Sequence, residues 1–265
     1  MRSFSYEEKK FKVVLINKVA VKASLVHLAI SILVASLAAI LIFKLWFPEP
    51  FSELSGGNEL FKLLVSVDVI LGPLLTLFVF KNTKSRRELI GDLSIIGFLQ
   101  IAALGYGVWT LQVARPVLLG FEGDRIRLVH QVDILESEFK EYPVATKYLL
   151  PFDINLVGVK LLNGADQGYL DSLKMAFSGV HPAYRPSRWQ PVFNYKELLL
   201  EVAKPLAVLA TQDRPFVVQG FLNKVDKDIE TLVYLPLAVK SHENWVIVLE
   251  QDSLDVVGYI KADGW

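Results

Sequence analysis

Three long stretches without formal charge, or nearly so, dominate the first half of the chain, at residues 23–43, 63–80 and 93–113. The first and third run 21 residues each with no Asp, Glu, Lys or Arg; the second runs 18 and contains one acid, Asp68. About 20 apolar residues make a helix long enough to cross a ~30 Å hydrocarbon core, so three transmembrane helices are expected. A mean hydropathy of +0.39 with 21% charged residues agrees, being too apolar for a disordered chain. The first stretch is about twice as long as the ~7–15-residue apolar region of a cleaved signal, so it reads as a permanent anchor.

Lysine and arginine set the expected orientation. Arg2, Lys9, Lys10, Lys12, Lys18 and Lys22 precede the first stretch, and Lys81, Lys84, Arg86 and Arg87 lie between the second and third. Residues 48–61, between the first and second, carry Glu49, Glu53 and Glu59 and no basic residue. Both basic segments belong in the cytoplasm by this rule, and the acidic connection outside. The N-terminus is then inside and everything after the third span outside. Trp46, Phe47 and Trp109 fit an interfacial aromatic belt at the outer edges.

The expected fold class is an α-helical membrane bundle (three transmembrane helices) followed by an α+β extracytoplasmic domain. The divisions are a basic cytoplasmic segment at 1–22, the membrane region at 23–113 and a periplasmic domain at 114–265. Pro116 cannot continue the third helix, and Arg115 can carry its charge to the headgroups. In the outer domain, 117–121 and 126–131 flank Glu122-Gly123-Asp124 as a hairpin. Residues 133–142 and 166–177 have helical spacing, and 154–162 leans to strand. The three prolines of 181–191 predict an irregular loop, while 195–209 reads as a helix that Pro205 kinks or splits. Residues 215–225 suggest a short helix, and 231–239, 245–250 and 256–260 a three-strand meander.

Composition closes off several function classes. The chain has no cysteine, which removes disulfides, thiol nucleophiles and thiolate metal sites. Residues 1–113 carry 12 Lys/Arg against 8 Asp/Glu and 114–265 carry 16 against 20, too balanced for a nucleic-acid partner. No catalytic or nucleotide-binding motif occurs, and His130, His181 and His242 are too dispersed for a zinc site. No enzyme activity, metal or cofactor is expected. The nearest candidate for a polar pocket is the loop with Tyr184, Arg185, Arg188 and Trp189, whose simpler reading is a surface loop packed by its aromatics.

The membrane half offers more. Asp68, Gly72 and Thr76 fall at i, i+4 and i+8, on one helix face. Gln100, Ala103, Gly107, Thr110 and Ala114 make a similar stripe in the third stretch, and Ser24, His27, Ser31, Ala35 and Ala38 in the first. Small residues let helices approach closely and polar ones bond across them. Either the three stripes pack against one another, or part is left for another protein's helix. Asp68 is the costliest group, at roughly 2.5–3.5 kcal/mol mid-span, so it should face a partner or a cavity. A hydrogen bond from Tyr106 or Thr110, which lie at matching depth, would serve, and Thr76 with Gln100 is a second expected pair.

The same residues carry a family likeness. The run from Asp68 through Gly72, Pro73 and Thr76 to Leu77 is followed by Lys84, Glu88-Leu89 and Asp92-Leu93. Next come the stretch from Gln100 to Tyr106 and Gly107, then Ala114-Arg115-Pro116-Val117, Phe121-Glu122 and Asp124-Arg125. With Trp46-Phe47-Pro48 and Gly56-Gly57 these resemble the TfpX/TfpZ family of type IV pilin accessory proteins of Gram-negative bacteria. The likeness is densest from Asp68 to Arg125; it departs at Gly123, where a larger residue is expected and a tighter turn should result. The resemblance implies an inner-membrane, chaperone-like factor whose partners are the major type IV pilin of the same strain and membrane lipid. It implies that the factor promotes that pilin's stability or assembly, and brings no catalytic residue. A second reading of the residues is a membrane-anchored periplasmic ligand-binding or sensor protein without enzymatic activity, although the short cytoplasmic parts leave no room for an output domain.

Overall fold

The structure, a computed structural model, describes residues 18–80, 84–150, 153–211, 215–240 and 244–265. Most of the basic N-terminal segment, Lys81 and His242 lie outside them. Two compact units divide the chain, one comprising the residues up to Ala38 with Lys62–Gly107, the other Ala39–Phe61 with Val108–Trp265.

Three helical stretches are long and apolar enough to cross a membrane: Lys18–Trp46, Gly57–Val79 and Arg86–Ala114. Each is longer than the uncharged run that announces it. The first is α1 (Lys18–Leu41) followed by a π turn at Ile42–Trp46, closed by Phe47 N–H to Ile42 O at 2.8 Å. A four-residue helix, α2 (Phe51–Leu54), follows before the second stretch. That stretch is broken into α3 (Gly57–Ser66), a π turn at Val67–Leu71 and α4 (Gly72–Val79). Pro73 accounts for the break. It has no N–H for the carbonyl four residues back and its ring crowds that carbonyl, so the turn before it widens.

The third stretch is one helix, α5 (Arg86–Ala114). Ser85 and Glu88 close its start reciprocally: Glu88 N–H donates to Ser85 Oγ at 3.3 Å and Ser85 N–H to Glu88 Oε2 at 2.9 Å. At 29 residues it extends roughly 43 Å at ~1.5 Å per residue.

Among the described residues, the rest of the chain builds one mixed sheet of eight strands. They are β1 (Pro116–Phe121), β2 (Ile126–His130), β3 (Asn155–Val159), β4 (Trp189–Pro191), β5 (Lys204–Pro205), β6 (Leu232–Ala238), β7 (Trp245–Glu250) and β8 (Val256–Ile260). Their order is β4-β3-β1-β2-β6-β7-β8, with β5 sharing an edge of β6 with β2. The expected hairpin and meander are present, and β1/β3 and β2/β6 are parallel. Helices α6 (Tyr169–Phe177), α7 (Lys196–Val202), α8 (Leu206–Thr211) and α9 (Pro215–Val225) are interspersed, which makes the class α+β.

Side chains alternate across the sheet as strands require. Val233, Leu235 and Leu237 with Trp245, Ile247 and Leu249 enter one core; Leu232, Tyr234, Val246 and Val248 enter the core on the other face. Two further residues of the first core come from far away in sequence. Phe51 and Leu54 of α2, between the first two apolar stretches, pack with Leu119, Phe121 and Leu235, and Leu54 is fully buried. Phe51 meets Tyr259 edge-on at 5.1 Å, and Lys261 bonds Glu53 at 3.1 Å. The acidic connection is therefore part of the sheet's core and not merely a loop.

Three expectations need correction. Residues 133–142 form short 3₁₀ turns, Gln131–Asp133 and Glu136–Lys140, instead of an α-helix. Their backbone is held by outside partners, Leu135 N–H bonding Tyr184 O at 2.8 Å. Residues 181–191 are two 3₁₀ turns and β4 rather than irregular, because Tyr184 and Trp189 are buried in a core of their own. The helix expected from 166 starts at Tyr169, after Gly168 in the left-handed region at φ +81°. Pro205 does split 195–209: α7 ends at Val202, β5 intervenes, and α8 resumes at Leu206.

Candidate functional site

Within the first unit the polar residues turn inward. Asp68, Gly72, Pro73 and Thr76 are all buried while Ile70, Leu71, Leu74 and Leu75 beside them are exposed. Ser24 Oγ donates to Pro73 O at 2.8 Å, and His27 Nδ1 and Thr76 Oγ1 share a hydrogen bond at 2.6 Å, tying α1 to α4. Gln100 of α5 donates from Nε2 to Asp68 O at 3.3 Å, inside the widened turn. A neighbouring helix thus supplies a bond to a carbonyl of the turn that Pro73 disturbs, as a helix apolar enough to cross a membrane requires.

Close approach depends on two glycines. A Cβ at Gly72 would collide with the Gln100 amide, and one at Gly107 with Leu64. The stripes are thus used largely for packing within the unit. Gln100 pairs with the backbone of Asp68 and not with Thr76, whose partner is His27. The Asp68 carboxyl is 8% exposed, and its Oδ1 has no hydrogen-bond partner among the described residues. Tyr106 is 68% exposed, on the outer surface of α5.

One apolar surface remains open. A groove of about 560 Å³ is lined on α1 by Val19, Lys22, Ala23, Val26 and Ile30, together with Leu93 of α5 and the His27–Thr76 pair. The α1 positions recur every three or four residues, the spacing of a single helix face. A mainly apolar trough whose polar points are Lys22 and the His27–Thr76 pair fits the side of another helix, those points fixing its register. No sequence signal separates this face from the lipid-facing apolar residues around it.

The remaining motif residues belong to the second unit. Pro116 opens β1, where Arg115 O accepts from Gln131 N–H at 2.9 Å; Arg115 Nε is buried without a hydrogen-bond partner among the described residues. Gly123 takes φ +90° and makes the tight turn expected between β1 and β2. Asp124 and Arg125 form a two-point pair at 2.6 and 2.7 Å, and the guanidinium lies 4.3 Å over the Trp265 ring. Bonding to Arg125 holds the Asp124 carboxyl below its ordinary range. The motif residues therefore form two groups, one in each unit.

Sequence reading missed two braces in this unit. Glu122 accepts from Arg127 at 2.7 Å and from Ala183 N–H at 3.0 Å; Glu138 accepts from Arg185 at 2.8 Å and Ser187 N–H at 2.9 Å. Trp189 Nε1 donates to Ala183 O at 2.8 Å. The loop that suggested a polar pocket is instead fastened to the sheet. His130 bonds Asp133 at 3.2 Å and His181 packs edge-on to Tyr184, so each is engaged in its own surroundings.

Comparison with known proteins places the chain. A family model described as fimbrial assembly protein FimB matches residues 17–56, which cover α1, α2 and the turns between them. The chain is 33% identical over 251 residues to "Fimbrial assembly protein, serogroup I" of Dichelobacter nodosus, covering 93% of this chain and 96% of that protein. It is 32% identical to the serogroup E1 protein over the same shares. With the protein of serogroups C1 and C2 it shares 41% identity over 122 residues, 46% of this chain and 93% of that one. No solved structure matches. Identity of this level along nearly the whole of both chains shows that the protein belongs to the fimbrial assembly protein family.

Proposed function

We propose that the chain is a multi-pass protein of the bacterial inner membrane that holds the major type IV pilin of its own strain and promotes its assembly into pili. The groove along α1 carries this reading. It is mainly apolar, runs along one helix face, and has Lys22 and a hydrogen-bonding pair as its polar points, the features a membrane helix needs to dock in register. The family supports the process, since its relatives are named for fimbrial assembly, and the resemblance to TfpX/TfpZ proteins supplies the pilin. Orientation follows from the basic segments, with the N-terminus in the cytoplasm and the sheet in the periplasm. The acidic 48–61 connection shares a core with the sheet, which agrees with a three-span chain that puts both on one side.

A photo-crosslinker in the membrane of living cells tests this. Thr76 and Gly107 are poor positions, being buried and covered by Leu64 respectively. Val26 and Ile30 are more than half exposed and line the groove. Crosslinks from these two to the cognate pilin, absent with an unrelated pilin and absent from Ile101 on α5, are the expected outcome. Equal capture from Ile101, or none from Val26 and Ile30 while piliation still requires the protein, removes the groove as the site.

A further inference from the structure

Among the described residues strand β8 ends the sheet, paired to β7 alone. A free edge leaves a row of backbone N–H and C=O groups unmatched, and proteins usually protect such edges with charge, proline or a covering element. Val256–Ile260 contains neither charge nor proline, and four of its five residues are partly exposed where β6 and β7 are almost wholly buried. The edge is not bare surface either. It runs through a cleft of about 860 Å³ with a wall on each face of the sheet. On one face Phe216, Gly220, Phe221 and Lys224 of α9 form the wall, with Phe221 against Gly258. On the other, residues 49–53 form it, with Phe51 against Tyr259.

Three further features want a visitor. Phe216 stands 89% exposed in the wall, an aromatic left uncovered by the described residues. Trp245 also lines the cleft, and its buried indole N–H has no hydrogen-bond partner among the described residues. Glu49 and Asp153 lie on the side of residues 49–53 and Lys224 on the side of α9, and none of the three forms an ion pair among the described residues. A walled strand edge takes an extended polypeptide, whose main chain continues the ladder while alternate side chains meet the two walls. Another copy of this chain would bring its own α9 and its own residues 49–53 against these walls, so a single strand fits where a folded edge does not.

We propose that the β8 edge receives one extended segment from the globular part of the pilin, added to the sheet as a further strand. That segment places a basic side chain toward Glu49 and Asp153, an acidic one toward Lys224, and an apolar one against Phe216. The inference rests on the pilin-directed reading above and names the contact outside the membrane.

The full chain in lipid nanodiscs, mixed with overlapping synthetic peptides covering the cognate pilin's globular part, provides the test. One peptide should bind and slow amide hydrogen exchange across Val256–Ile260 by roughly tenfold or more. The double exchange Glu49→Lys with Lys224→Glu should weaken that peptide roughly tenfold, while exchange in the unbound variant stays as in the parent. No slowing at β8 by any peptide or by the intact globular part, or binding indifferent to the charge exchange, overturns the proposal. Because the chain lacks cysteine, Asp255→Cys offers a second check: disulfide dimers formed through it in the membrane give the edge to another copy and also overturn it. Crosslinks from Val26 and Ile30 report on the pilin reading separately, so a silent β8 with positive crosslinks sinks only this inference.

Discussion

The two units bury opposite things. In the first, Asp68, Thr76 and Ser31 are inside while Leu33, Leu37, Phe98 and Ile101 are outside. In the second, Leu118, Phe121, Ile247 and Val248 are inside and the charges ring the surface, apart from braced ones such as Glu122. The same rule acts in both, with the solvent exchanged. Water expels apolar area at roughly 25 cal/mol per Å², whereas hydrocarbon does not and instead penalises every unmatched polar group. Packing in the first unit must therefore come from close approach and inter-helix hydrogen bonds, and in the second from a filled core.

The largest expected contrast is between two leucines. Leu54→Ala empties a fully buried position in the sheet core and should cost ~2–5 kcal/mol. Leu37→Ala, at a position 60% exposed on α1, should stay within ~0.5 kcal/mol. Thermal unfolding of the purified protein in lipid, followed by near-ultraviolet circular dichroism, distinguishes them; equal losses break the contrast.

Close approach is tested next by glycine. Gly107→Leu must displace Leu64 and should cost ~1–3 kcal/mol. Gly97→Leu, on the same helix with open space around it, should leave helix association unchanged. Protease resistance of the membrane unit reads both. If the two behave alike, small residues are not what holds the helices together.

An effect of similar size concerns acid. Burial pushes the Glu138 carboxyl up, but hydrogen bonds from Ser187 and Arg185 outweigh it and hold the group below its ordinary value. A carboxyl held low contributes stability that is fully present above its unfolded pKa of about 4.3 and is lost as pH falls through the folded value. The sheet unit should thus be steady from neutral pH to about 5 and weaken below about 4. Glu138→Gln should cost ~1–3 kcal/mol at neutral pH and flatten that acid slope. Urea titrations across this range would show whether the slope survives the substitution, which would locate it elsewhere.

Legibility followed the same division. The three apolar stretches were plain because a membrane imposes length and lack of charge, and the meander because 231–260 alternates strongly with clear turns. Lys18 and Trp46 extend the first stretch past its uncharged run because helices continue into the interfacial layer, where charge and aromatic rings are at home. The 3₁₀ turns near Glu138 were hidden: Ile134, Leu135 and Phe139 have helical spacing, and only tertiary bonds from Tyr184 and Arg185 reveal otherwise. The role of Phe51 and Leu54 was also hidden, since two apolar residues in a short acidic connection give no sign that they belong to a sheet that begins over sixty residues later. For the membrane site, the inward stripe was readable as small and polar residues, but the open groove was not. Apolar residues that face lipid and those that face a partner helix are chemically alike.

The socket filled by Leu54 has a consequence for inheritance. The sheet is not a cassette that begins at Pro116, because one of its core pieces is encoded between the first two long apolar helical stretches. Exchanging the C-terminal portion between serogroup relatives while keeping the native 48–61 connection would pair each socket with a foreign plug. Functional recombinants should therefore carry the two segments from one parent, and crossovers between residue 61 and residue 116 should be selected against.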